Sequence, residues 1–92
     1  MQNIEIIKIA YEYLKKHGFN GIYKLSDIGN SVVAFGGNPK EKIYGCRSVE
    51  VNKITGEVKL YGAWLPENIK VLEMSTDIDI PEMYLYENSR NI

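Results

Sequence analysis

Few side chains in this 92-residue sequence have the chemistry of a catalytic centre. The chain has one histidine, His17, and one cysteine, Cys46, and neither has an obvious partner in the sequence. A catalytic thiol–imidazole pair or a zinc finger needs more reactive groups at closer spacing. We therefore expect no catalytic residue, with His17 at the end of a helix and Cys46 a small buried side chain in a strand.

Acidic residues are concentrated in the last third of the chain. Residues 67–92 carry six acidic and two basic side chains, whereas residues 1–66 carry six acidic and nine basic ones. The acidic group lacks the glycine and distal glutamate of a calcium loop, so no metal site is expected. Aromatic side chains among charges are typical of binding surfaces, and a solvated tail is the alternative. The predicted partner-binding residues are Trp64, Asp77, Asp79, Glu82, Tyr84 and Tyr86.

Composition limits the class of protein. With 45% hydrophobic and 25% charged residues, the sequence is typical of one globular domain spanning residues 1–92. A net charge of −1 argues against nucleic-acid binding, and no apolar run reaches the ~18 residues of a membrane span. The glycines at 36–37 belong to a plain loop rather than a phosphate loop, and no cofactor is expected. The single cysteine and the absence of a secretory signal favour a cytoplasmic location.

The first segment has the pattern of an amphipathic helix. Residues 3–17 place five charged side chains on one narrow stripe and apolar side chains around most of the remaining surface. Asn3 is the predicted N-cap, and Gly18 is the predicted stop. Because the apolar arc is so wide, we expect either a bent sheet around the helix or a second element that covers it.

The middle of the chain has the pattern of antiparallel strands. Short β-prone runs occupy residues 21–26 and 31–36, and a longer hairpin joins residues 42–52 to residues 57–65. Gly56 suits the left-handed position of the hairpin loop. The predicted register pairs three residues of each strand and places the two apolar pairs on the inner face: Val51 with Val58, Val49 with Leu60, and Glu50 with Lys59.

The final third leaves its secondary structure open. Residues 66–74 and 81–88 each fit a short helix or a strand. The predicted fold class is α+β, with an N-terminal helix packed in a bent antiparallel sheet of about four strands.

One stretch resembles a known group of proteins. The run around residues 49–58, with Lys53 followed by Thr55, Gly56, Glu57 and Val58, is similar to a hairpin in small bacterial immunity proteins with a cystatin-like or NTF2-like fold. Such proteins neutralise the toxin of a contact-dependent inhibition system. The resemblance implies that this chain binds a cognate protein toxin and occludes its active site. It transfers no toxin-binding residues, because these proteins share no such set.

Two classes of function follow from these observations. The first is a non-enzymatic inhibitor of a toxin, and an acidic face would suit a basic nuclease domain as the target. The alternative is a small ligand-binding protein or enzyme that uses the concave sheet as a pocket. A pocket with convergent titratable groups would favour the second class, and an exposed patch would favour the first.

Overall fold

The computed structural model describes residues 2–41 and 46–86 of the chain, and these residues form two α-helices and one sheet. In sequence order the elements are α1 (Asn3–Lys16), β1 (Ile22–Asp27), β2 (Ser31–Gly36), β3 (Ser48–Asn52), β4 (Val58–Leu60), α2 (Pro66–Glu73) and β5 (Thr76–Asp77). A 3₁₀ turn at Glu82–Tyr84 follows β5. The sheet is antiparallel and open, in the order β4-β3-β2-β1-β5.

The α+β class predicted from the sequence is confirmed, with five strands rather than about four. The extra strand is β5, which has two residues and pairs with the end of β1. Two residues carry no periodicity, so the sequence pattern could not reveal this strand. Residues 66–74 fitted either structure, and Pro66–Glu73 of this range form α2, with Pro66 at its start.

The central strand β2 is enclosed on both faces. All six of its residues are buried. On one face, Val32 and Ala34 pack with α1, and on the other face Val33 and Phe35 pack with Tyr61. Side chains alternate between the faces of a strand, so this run without polar interruption is the pattern of a strand covered on both sides.

Helix α1 covers the first face of the sheet. Its buried side chains are Ile6, Ile7, Ala10 and Leu14. The predicted N-cap was wrong: the helix begins at Asn3, and Gln2 holds the cap position without a side-chain hydrogen bond. The wide apolar arc of the helix has a second cover, because Ile78, Ile80 and Tyr84 also pack against this core.

The second face carries a smaller core under α2. Val33, Phe35 and Tyr61 are buried there, with half-buried side chains packed around them: Tyr23, Ile28, Ala63 and Leu72. Helix α2 itself has no buried residue and contributes Leu72 to this cluster. Helix α2 therefore covers its face of the sheet with fewer buried side chains than α1 does.

The hairpin has the predicted register, with Val51 opposite Val58 and Glu50 opposite Lys59. The Lys59 ammonium lies 3.6 Å from the Glu50 carboxylate. Leu60 pairs with the buried Val49 as predicted, but its expected burial was wrong, because its side chain is 58% exposed. An edge-strand residue can share the face of the core and still extend beyond its helical cover.

The hairpin strands are shorter than predicted. Strand β3 begins at Ser48, and residues 42–45 of the predicted strand lie outside the described residues. Strand β4 ends at Leu60, because the chain turns over residues 62–65 before entering α2. In the hairpin loop, the Asn52 Oδ1 atom accepts hydrogen bonds from the backbone N–H groups of residues 54 and 55.

Burial of Val51 gives the first prediction. Val51→Asp should lower the free energy of unfolding by about 3–5 kcal/mol, because it places an unpaired charge in the core. Glu50→Ala on the opposite face should cost less than about 1 kcal/mol, because its ion pair with Lys59 is partly solvated. Thermal and urea unfolding of both variants measures the difference. An equal loss in the two variants would contradict the observed register.

An ion pair joins the β1–β2 turn to the hairpin loop. The Lys53 ammonium donates a hydrogen bond of 2.7 Å to Asp27 Oδ1, which also accepts the Gly29 N–H at 2.9 Å. The hydrogen bond from Lys53, and then that from Gly29, hold the pKa of Asp27 below its ordinary value of 3.8. The folded state thus favours the ionised carboxylate, and this stabilisation is lost as the pH falls below 3.8.

The second prediction concerns this pair. Asp27→Asn should destabilise the protein by about 1 kcal/mol or less at pH 7. The difference from the wild type should vanish in acid, where Asp27 is protonated in both states. Urea unfolding across an acidic pH series measures the difference. A penalty that persisted at the most acidic pH would show that the charge of Asp27 is not responsible.

Candidate functional site

The segment from residue 76 to residue 86 follows the outer side of β1. The Ile78 N–H donates to the Leu25 carbonyl at 3.0 Å, and the Tyr86 N–H donates to the Ile22 carbonyl at 2.9 Å. Leu85 also forms an isolated bridge with Ile22. These contacts fix both ends of the segment against β1.

Side chains alternate along the first half of this segment. Ile78 and Ile80 turn inward and pack against the α1 core. Asp77 and Asp79 are exposed, and neither forms a salt bridge in the described part of the chain. The cross-strand partner of Asp77 is Ser26, so this carboxylate lies on the α2 face of the sheet. Packing of the two isoleucines therefore fixes where the two carboxylates are presented.

A groove lies between β1 and the part of this segment that follows Ile78. It has a volume of about 280 Å³ and opens to solvent. Its lining combines two carboxylates and one ammonium with apolar and aromatic side chains, namely Tyr23, Lys24, Leu25, Asp77, Ile78, Asp79, Ile80 and Leu85. The two hydrogen bonds described above flank the groove. We call the exposed carboxylates Asp77, Asp79 and Glu82 the acidic edge.

The two predicted tyrosines belong to the same region. The Tyr84 ring packs on Tyr11 of α1, with ring centroids 4.9 Å apart. Tyr86 is half-buried and is held by its backbone bond to Ile22. Tyr84 thus has a structural role, because it anchors the 3₁₀ turn on α1 and completes the second cover of that helix.

Trp64 lies apart from the other predicted residues. It is 62% exposed and occupies the turn that follows β4, three residues after Tyr61, whose N–H still bonds to Ser48 of β3. Strands β4 and β5 are at opposite edges of the sheet, which are separated by four strand spacings, or roughly 19 Å. The predicted binding residues therefore form two surfaces, one with Trp64 and one with the acidic edge.

Two methionines border the acidic edge in the sequence. Neither was predicted to be part of a binding surface. Met74 is 88% exposed just before β5, and Met83 is 71% exposed in the 3₁₀ turn. Such exposure is unusual for apolar side chains of this size, and flexible methionines are common on surfaces that adapt to partners. In the sequence, Met74 lies three residues before Asp77, and Met83 directly follows Glu82. This proximity to the predicted acidic residues could have indicated that the methionines belong to the same surface.

His17 and Cys46 are placed where a structural role is expected. His17 caps the exposed end of α1, where its Nδ1 atom lies 2.9 Å from the Tyr13 carbonyl and its ring stacks on Tyr13. Cys46 is half-buried and precedes β3 rather than lying within it. Its thiol lies 3.1 Å from the carbonyls of Ser48 and Tyr61. The predicted position of His17 at the end of α1 is confirmed, and the predicted strand position of Cys46 is wrong.

Two buried hydroxyls lie on the α2 face. The hydroxyl groups of Ser26 and Tyr61 have no hydrogen-bond partner in the described part of the chain. Burial raises the pKa of the Tyr61 phenol, and the negative charge of Glu50 raises it further. Tyr61 therefore stays protonated well above neutral pH. Neither residue was predicted from the sequence to belong to a site.

Two further features, a metal site and a membrane-spanning helix, are not found in the described residues. Within residues 2–41 and 46–86, no group of three or more histidine, cysteine, aspartate or glutamate side chains is placed to hold a metal ion. None of the helices in that part of the chain has the length and apolar character needed to cross a membrane. Comparison with protein families, curated proteins and solved structures found no match to this chain.

Attachment of this segment to β1 depends on a glycine. Gly21 has a φ of 128°, and a Cβ atom there would lie 2.8 Å from the backbone N and Cα of Tyr86. Gly21→Ala should therefore displace residues 82–86 and cost about 1–3 kcal/mol beyond the backbone strain. Gly18→Ala is the matched control, because Gly18 has a φ of 89° and open space around it.

The measurements for this third prediction are urea unfolding and amide hydrogen exchange. Gly21→Ala should speed the exchange of the Tyr86 amide far more than Gly18→Ala does. Equal exchange rates in the two variants would show that close backbone approach at Gly21 does not hold the segment.

Proposed function

We propose that this protein is a cytoplasmic immunity protein that binds a cognate bacterial toxin and neutralises it by occluding its active site. The observation that carries the proposal is the acidic edge with its two exposed methionines. Asp77, Asp79 and Glu82 belong to the segment that is fixed against β1 and the α1 core, and the exposed Met74 and Met83 border them in the sequence. Adaptable apolar contacts and a charged rim together suit a protein partner.

The charge of this surface favours a basic target. A row of carboxylates attracts a basic toxin domain over a distance of about one Debye length and speeds encounter. A nuclease domain has a basic substrate channel because it must bind phosphates, and acidic side chains can occupy the positions of those phosphates. A basic nuclease domain is therefore the target that we propose.

The groove beside β1 supports the alternative class, a small ligand-binding protein. Its volume of about 280 Å³ is at the lower end of the range for small-molecule sites. The face of the sheet that the sequence analysis assigned to a pocket is instead filled by α1 side chains. We favour protein binding because Met74, Met83 and Glu82 are exposed and do not belong to the lining of the groove.

Neutralisation is tested by co-expression. The protein is produced in bacteria together with the toxin domain encoded next to its gene, and growth is compared with that of cells producing the toxin alone. We expect protection from growth arrest and a stable one-to-one complex by size-exclusion chromatography with light scattering. Growth arrest in the presence of folded protein would contradict the proposal.

The fourth prediction locates the interface. Reversing Asp77, Asp79 and Glu82 to Lys should slow association with the toxin more than it speeds dissociation, because rim charges act mainly on encounter. The loss should shrink at high salt. The control reverses three exposed carboxylates elsewhere, at Glu12, Glu41 and Glu57, and has the same net charge. Equal association rates for the two triple variants at low salt would remove the acidic edge from the interface.

A further inference from the structure

We infer that the groove between β1 and residues 79–85 is a socket for an arginine side chain of the protein partner. The inference deepens the proposed function and rests on it for the identity of that partner. It assigns one contact within the interface, with the guanidinium held at the carboxylates of Asp77 and Asp79. The aliphatic part of the arginine lies along the apolar wall of the groove.

The groove has the size and the wall chemistry for one long side chain. Its volume of about 280 Å³ exceeds that of a single side chain but is small for a folded element. Ile78, Ile80 and Leu85 supply apolar surface at half-buried positions, and β1 supplies the facing wall. Both isoleucines are packed into the core, so the wall is formed before the partner binds.

The carboxylates provide the charge complement. Asp77 and Asp79 are exposed and flank Ile78, which packs against the core. Alternation of side chains along the segment therefore predicts that both carboxylates emerge on the same side. Neither is neutralised by a salt bridge within the described residues. A planar guanidinium can donate to two carboxylate groups at once, and such charge-assisted hydrogen bonds are stronger than neutral ones.

The one cation among the residues that line the groove, Lys24, forms no salt bridge with Asp77 or Asp79. The Lys24 ammonium lies 5.8 Å from the centre of the Phe35 ring, over the α2 face of the sheet. Next to it, the Arg47 guanidinium lies 5.7 Å from the centre of the Tyr23 ring. This face therefore already holds cations against aromatic rings, and Tyr23 lines the groove as well.

The test uses a probe that does not require the toxin. The full-length protein, labelled with ¹⁵N, is titrated with an acetylated, amidated alanine–arginine–alanine peptide and with the same peptide carrying citrulline, a neutral isostere of arginine. We expect the arginine peptide to shift the amides of Lys24, Leu25 and residues 77–80, and the citrulline peptide to leave them unshifted. The double variant Asp77→Asn/Asp79→Asn should bind the arginine peptide about tenfold more weakly.

The matched control is Glu12→Gln/Glu57→Gln, which removes the same charge at exposed positions on α1 and the hairpin. It should bind the arginine peptide as the wild type does. Equal weakening in both double variants, or equal shifts with citrulline, would overturn the socket. Growth protection by a protein that does not bind the peptide would reject the socket and retain the immunity function. Peptide binding without growth protection would retain the socket and reject the toxin as its partner.

Discussion

Enclosure of β2 on both faces is the constraint on which the rest of the structure depends. A central strand with six buried residues needs a cover on each side, and this chain supplies α1 on one side and α2 with the 61–65 turn on the other. The connection from α2 then returns to the opposite edge of the sheet as β5. The acidic edge lies where it does because the chain must cross the second face to cover β2.

The two helices that cover the sheet differ in how many side chains they bury, and the acidic segment packs against the better-buried helix. Helix α1 buries four side chains, whereas α2 buries none completely. The acidic segment does not depend on the weaker cover, because Ile78, Ile80 and Tyr84 pack on the α1 side. The backbone of this segment is therefore held by the better-packed half of the molecule, although the Asp77 carboxylate lies on the α2 face. A surface held in this way loses little conformational freedom on binding, which favours affinity.

Local patterns predicted the fold where periodicity was long enough. The helix and the hairpin register follow from spacing and from the pairing of valines, and the structure has both, with α1 beginning at Asn3 and β3–β4 paired as expected. The strand β5 and the exposure of Leu60 were not predictable in this way. Two residues have no period, and the exposure of Leu60 depends on how far α1 extends across the sheet edge.

The candidate site shows the same limit. Composition alone indicated acidic and aromatic residues near the end of the chain, and the structure gathers Asp77, Asp79 and Glu82 at one edge while Trp64 lies at the other. Trp64 is close to these carboxylates in the sequence, but α2 carries the chain across the sheet between Trp64 and the acidic edge. The groove depends on β1, which precedes Asp77 by about fifty residues. Its two walls are joined by long-range pairing, which no local motif encodes.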